Sequence, residues 1–182
     1  MKKRIILSIL FATVLFTGCK NDKSIDSLEV VTPKEIDNGF EVSVNVILKK
    51  DDTFSLFYTE DGTTDFSKTA PIWVAVKGND AEQKVSYILP KDVFPTQLRL
   101  DFGLAKTQED IILKSVVLSY KGKKREFVGP ELGGYFVPDL NKCTFDPMTG
   151  TIKAIIIDGV RQFPSLYPQE KTLGPEIEKL AK

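Results

Sequence analysis

The 182-residue chain contains no histidine, two cysteines and a single tryptophan. Without histidine there is no Ser-His-Asp or Cys-His relay and no imidazole-ligated zinc or non-haem iron. Nor is there a side chain whose ordinary pKa lies near neutrality. Acid–base work falls to carboxylates, lysine or tyrosine. An excess of charge of either sign is missing too, since 25 Lys plus Arg offset 25 Asp plus Glu. A membrane-spanning run is also lacking. The main apolar stretch, Ile5 to Phe16, would be about 18 Å long as a helix, short of the ~30 Å hydrocarbon core. What the chain does have is 42% hydrophobic and 10% aromatic residues, enough for one domain with a real core.

The apolar stretch follows Lys2, Lys3 and Arg4 and ends at the small residues Thr17 and Gly18 before Cys19. This three-part order reads as a cleaved export signal. Phe16-Thr17-Gly18-Cys19 resembles the lipobox of bacterial lipoproteins, with Phe16 where Leu is usual. The resemblance implies a diacylglyceryl thioether on Cys19, usually with an added acyl chain. Each buried methylene contributes about 0.8 kcal/mol, so two or more chains hold firmly. The expected organisation is a signal peptide over 1–18, a lipidated cysteine and polar tether over 19–27, and one domain over 28–182. The expected location is the cell membrane or outer membrane, facing the periplasm or the cell surface. With Cys19 acylated, Cys143 has no partner in the chain for a disulfide and reads as a small buried thiol.

Residues 19–182 carry 22 basic against 25 acidic side chains, a net charge of −3. An acidic balance gives no electrostatic reason to bind a phosphate backbone, so nucleic acid is not an expected partner. The membrane is expected as a partner through the lipid anchor and not through charge.

From Leu28 onward the pattern is that of strands. In Phe40 to Leu48 the residues Phe40, Val42, Val44, Val46 and Leu48 share one face, and Glu41, Ser43 and Asn45 the other. Further runs cover Thr53–Thr59, Ile72–Lys77, Lys84–Leu89, Gln97–Phe102, Ile111–Tyr120, Arg125–Val128, Lys142–Phe145 and Thr151–Ile157, with Asp-Gly, Gly-Asn and Pro-containing turns between them. Leu173–Lys182 reads as a short C-terminal helix with Pro175 in its first turn. The expected fold is all-β, an antiparallel β-sandwich of about 8–9 strands.

The segment from Thr53 to Tyr120 carries a second resemblance. Phe54-Ser55-Leu56-Phe57-Tyr58, Val85 to Pro90, Leu98-Arg99-Leu100-Asp101-Phe102-Gly103 and Ile111 to Leu118 together resemble the order in jelly-roll modules similar to carbohydrate-binding domains. The resemblance implies a jelly roll and a sugar ligand. A sugar platform needs exposed rings, because pyranose C–H faces stack on π surfaces while flanking polar groups bond the hydroxyls. Trp73 alternates with Ile72, Val74 and Val76, so it points outward if those three face the core; a packed Trp73 is the other reading. Tyr58, Tyr87 and Tyr120 are candidate companions for it, and Arg99 and Asp101 candidate polar groups.

Asp61 and Asp65, with Glu60, make a candidate calcium loop that lacks the EF-hand spacing, and the alternative is a set of turn-forming solvated acids. No other metal or cofactor is expected. Gly129 to Phe136 lacks the Lys-Ser/Thr of a phosphate loop and reads as a long surface loop with Tyr135 and Phe136 tucked inward.

The leading expectation is therefore a non-enzymatic, lipid-anchored envelope protein that binds envelope or extracellular glycan. A protein-interaction or assembly subunit of an envelope complex is the second reading. A glycoside hydrolase using carboxylates such as Asp101, Glu109 and Asp110 is the third.

Overall fold

The computed structural model describes residues 39–182. The expected export signal over 1–18, the expected lipidation of Cys19, the expected tether up to 27 and the expected start of the domain at 28 all lie outside the described residues.

Alternation builds two antiparallel sheets. One holds β1 (Glu41–Leu48), β4 (Asn79–Ile88), β6 (Ile111–Tyr120), β7 (Lys123–Val128), β9 (Cys143–Asp146) and β10 (Thr151–Ala154). The other holds β2 (Asp52–Thr59), β3 (Ile72–Val76), β5 (Gln97–Asp101), β8 (Phe136–Pro138) and β13 (Ser165–Pro168). A separate hairpin pairs β11 (Ile156–Ile157) with β12 (Val160–Arg161), and α1 runs from Glu170 to Ala181. β1 lies between β4 and β6, and β2 between β3 and β5, so the chain crosses between the sheets from β1 to β2, β3 to β4, β4 to β5 and β5 to β6. This winding makes the domain an all-β sandwich of the jelly-roll kind.

The facing sides of the sheets form one core. Val42, Val44, Val46 and Leu48 of β1 are fully buried, as are Phe54 and Leu56 of β2, with Leu98 and Leu100 of β5 beside them. Each such side chain contributes about 1.5–3 kcal/mol relative to exposure. Helix α1 adds Leu173, Ile177 and Leu180, an i, i+4, i+7 stripe buried in the same cluster, and touches β5 of one sheet and β6 and β7 of the other. At Gly150 (φ 74°) a Cβ would collide with the carbonyl oxygen of Leu113, so the β9–β10 turn approaches β6 only as glycine.

Several elements differ from expectation. The run Thr151–Ile157 splits at Ile155 into β10 and β11, which belong to different sheets, and β7 starts at Lys123 and not Arg125. β4 starts at Asn79 and not Lys84, because it is an edge strand whose first residues face solvent and carry no apolar alternation. β8, β12 and β13 lie in stretches broken by Pro138, Pro164 and Pro168 and give no uninterrupted run. α1 begins at Glu170, where the amides of Thr172 and Leu173 donate to the Gln169 carbonyl, so Pro175 lies inside the helix. Gly129–Gly134 forms a 3-10 turn, with Phe136 buried as expected.

Candidate functional site

In β2 the parity that sends Phe54, Leu56 and Tyr58 into the core turns Thr53, Ser55 and Phe57 to the outer face of the second sheet. The register then sets four residues side by side across that face. Trp73 of β3 pairs with Ser55 of β2, Ser55 with Asp101 of β5, and Asp101 with Ser165 of β13. A cleft of about 200 Å³ opens over this row, bounded also by Leu104, Lys142 and Phe163. Trp73 is 51% exposed and Phe163 43%, so two aromatic rings stand at its rim.

The floor is polar. Ser55 is 1% exposed and its Oγ has no hydrogen-bond partner. A buried hydroxyl left unbonded costs about 1–3 kcal/mol, a cost that a ligand reaching the floor would remove. Asp101 is held by Arg99, whose Nε and Nη2 donate to Oδ1 and Oδ2 at 2.9 Å each. The Arg99 guanidinium lies 3.8 Å above the Phe57 ring, and its Nη1 donates to the Tyr167 hydroxyl at 3.3 Å. Phe66, from the segment joining β2 to β3, comes over the same guanidinium at 5.4 Å. Arg99 is thus enclosed by rings while the Asp101 carboxylate borders the cleft. That carboxylate can accept bonds from vicinal hydroxyls, and Trp73 offers a flat apolar face.

Of the residues expected at a sugar site, Trp73 and Asp101 come together here, and Arg99 supports Asp101. Tyr58 and Tyr87 do not. Tyr58 is 7% exposed and Tyr87 1%, because each lies on the core-facing parity of its strand, Tyr58 with Phe54 and Leu56, Tyr87 with Val85. Burial pushes the Tyr87 hydroxyl well above the ordinary tyrosine range. Tyr120 belongs to the other sheet and packs against Phe40 and Phe94, with centroids 5.9 and 5.0 Å away. The other cleft residues are not among those expected at the site. Ser55 follows from strand parity, Lys142 directly precedes β9, and Leu104 and Phe163 arrive from connecting segments that carry no periodic signal.

In the Asp61–Asp65 loop a lysine takes the position a cation would hold. Lys68 Nζ lies 2.8 Å from Asp61 Oδ2 and 3.8 Å from Asp65 Oδ2. Asp61 Oδ1 accepts from the amide and hydroxyl of Thr63, and Asp65 Oδ1 from those of Ser67. These bonds, led by Lys68 at Asp61 and by Ser67 at Asp65, hold both carboxyls below their usual range. No group of three or more Cys, Asp or Glu side chains suited to a metal ion occurs among the described residues. Glu109 pairs with Lys49 and Lys50 at 3.5 and 3.6 Å, on a different part of the surface from the cleft lining. Cys143 is fully buried, its thiol donating to the Ser165 carbonyl at 3.5 Å.

No protein-family model, curated protein or solved structure matches the chain.

Proposed function

We propose that the chain is a lipid-anchored cell-envelope protein that binds envelope or extracellular glycan in the cleft over Ser55 and Asp101, with no catalysis of its own. One observation carries this reading: the register aligns an exposed Trp73, an unpartnered buried Ser55 hydroxyl and a fixed Asp101 carboxylate in one row. An apolar sugar face would lie on Trp73 while ring hydroxyls bond Asp101 and Ser55. Asp101 is the one carboxylate in the cleft lining, which favours binding over two-carboxylate hydrolysis. The N-terminal pattern ending at Cys19 supplies the anchor, in the cell membrane or outer membrane.

A glycan array probed with the protein and with Trp73→Ala tests the cleft. Binding that the substitution abolishes supports the reading; no binding, or binding unchanged by Trp73→Ala, overturns it. Incorporation of radiolabelled fatty acid, lost in Cys19→Ala, tests the anchor.

A second reading, docking to an envelope protein, is favoured by the β11–β12 hairpin. Ile156, Ile157 and Val160 are 60%, 45% and 54% exposed there, an apolar surface of the kind that partners cover. Crosslinking in cells that captures one reproducible protein, in the absence of any glycan signal, would replace the first reading with this one.

A further inference from the structure

The outer face of the first sheet holds a second and larger cavity, of about 600 Å³. Side-chain size shapes it. Across β4, β1, β6 and β7 the register aligns Ser86, Ser43, Val117 and Glu126 in one row. On one side of that row lies Ile88–Glu41–Ser119–Lys124, and on the other Lys84–Asn45–Ser115–Val128. The central strands supply mostly short side chains, with Ser43 only 3% exposed, while the flanking strands supply long ones. The result is a trough with a hydroxyl-rich floor and charged walls.

The overall acidic balance conceals how positive those walls are. Lys121-Gly122-Lys123-Lys124-Arg125 is the turn from β6 to β7 and the start of β7. Arg125 is engaged with Glu131 and Glu176, whereas Lys121, Lys123 and Lys124 line the trough. Among the described residues no carboxylate lies within ion-pair distance of these three lysines. The fourth, Lys84, is bonded to Glu41 at 3.0 Å. Lys121 sits at φ 46°, a left-handed turn position that Asn, Asp or Gly ordinarily fills, with its ammonium 5.1 Å over the Tyr120 ring.

We propose that this trough binds an acidic polysaccharide, an extended chain of sugar rings bearing carboxylate or sulfate groups. The lysines meet the anionic groups, and the serine and asparagine floor meets the hydroxyls between them. One feature disfavours a single nucleic acid strand: Tyr120 offers one ring, already packed against Phe40 and Phe94, and so no stacking platform. An acidic peptide lacks the hydroxyls that the floor is built to bond. The inference uses none of the residues of the cleft over Ser55 and stands or falls apart from it.

Affinity electrophoresis of the full chain through polygalacturonate, with neutral dextran, polyglutamate and duplex DNA as comparison polymers, tests the proposal. Polygalacturonate is expected to retard the protein and the other three to do so far less. The triple variant Lys121→Asn, Lys123→Ala, Lys124→Ala should weaken the retardation about tenfold or more, in a salt-dependent way. All three lysines are exposed, and Asn suits the left-handed turn, so the variant should melt as the parent does. Should it not, Lys124→Glu alone must show the same loss of retardation. Absence of retardation, equal retardation by polyglutamate or DNA, or retardation that survives these substitutions would each overturn the proposal.

Discussion

Arg99 and Asp101, two positions apart on β5, are joined by two parallel hydrogen bonds of 2.9 Å each. The fork of a guanidinium fits both carboxylate oxygens at once and fixes the plane of the acid, which a lysine ammonium cannot do. Arg99 also lies flat on Phe57, so its position is set from two directions. Arg99→Lys keeps the charge and loses the fork. It is expected to weaken glycan binding about tenfold, by letting Asp101 turn, and to cost about 1–2 kcal/mol of stability. Calorimetric titration and thermal melts read the two effects; unchanged affinity would show that the orientation of Asp101 does not matter.

Ser55→Ala separates binding from folding. The Oγ that it removes has no partner in the free protein, so the alanine variant should be as stable as the parent or up to about 1 kcal/mol more stable. Affinity for glycan should fall. Denaturant unfolding that shows a clear loss of stability would mean that the hydroxyl is bonded in the unliganded protein.

Arg125 ties the last helix to the sandwich, its Nη2 donating to Glu131 and its Nε to Glu176, both at 3.0 Å. The bond from Arg125 is the main cause holding the Glu131 carboxyl below its ordinary value; at Glu176 the bond from Lys179 leads and Arg125 adds to it. A carboxyl depressed in the folded state stabilises the fold fully above its unfolded pKa, and that contribution disappears as pH falls through the folded value. Stability is therefore expected to decline from about pH 4.5 downward, modestly and with salt sensitivity because the groups are partly exposed. Thermal melts across that range should show a shallower decline in Arg125→Ala, and a decline as steep as the parent's would remove these pairs as its cause.

Cys143 should be inert in the native protein. Its thiol is fully buried, and burial is the first cause raising its pKa, so little thiolate is present and none is accessible. A colorimetric thiol reagent is expected to react with this cysteine only as the domain unfolds. Rapid labelling under native conditions would show that the β9 region opens on its own.

Much of this architecture could be read in the chain before folding. β1 announces itself by strict apolar parity, β6 by a long run of branched apolar residues, and the stripe of Leu173, Ile177 and Leu180 marks α1. The first half of β4 could not be read, since a strand wetted on both faces has no reason to alternate. At the cleft, Trp73 and Asp101 were legible by parity. The same rule assigns Tyr58 and Tyr87 to the core; choosing them as rings for a sugar followed their type and not their position. Leu104, Lys142 and Phe163 reach the cleft through tertiary folding, which no local pattern encodes.

Strand β13 lies between β5 and β8, and β10 lies beside β6, so late segments of the chain complete both sheets. During synthesis, the apolar strands made first remain uncovered until the last ones emerge, because the pairings that close the sandwich span long stretches of chain. The sandwich therefore closes only after β13, the last strand of the second sheet, has been made.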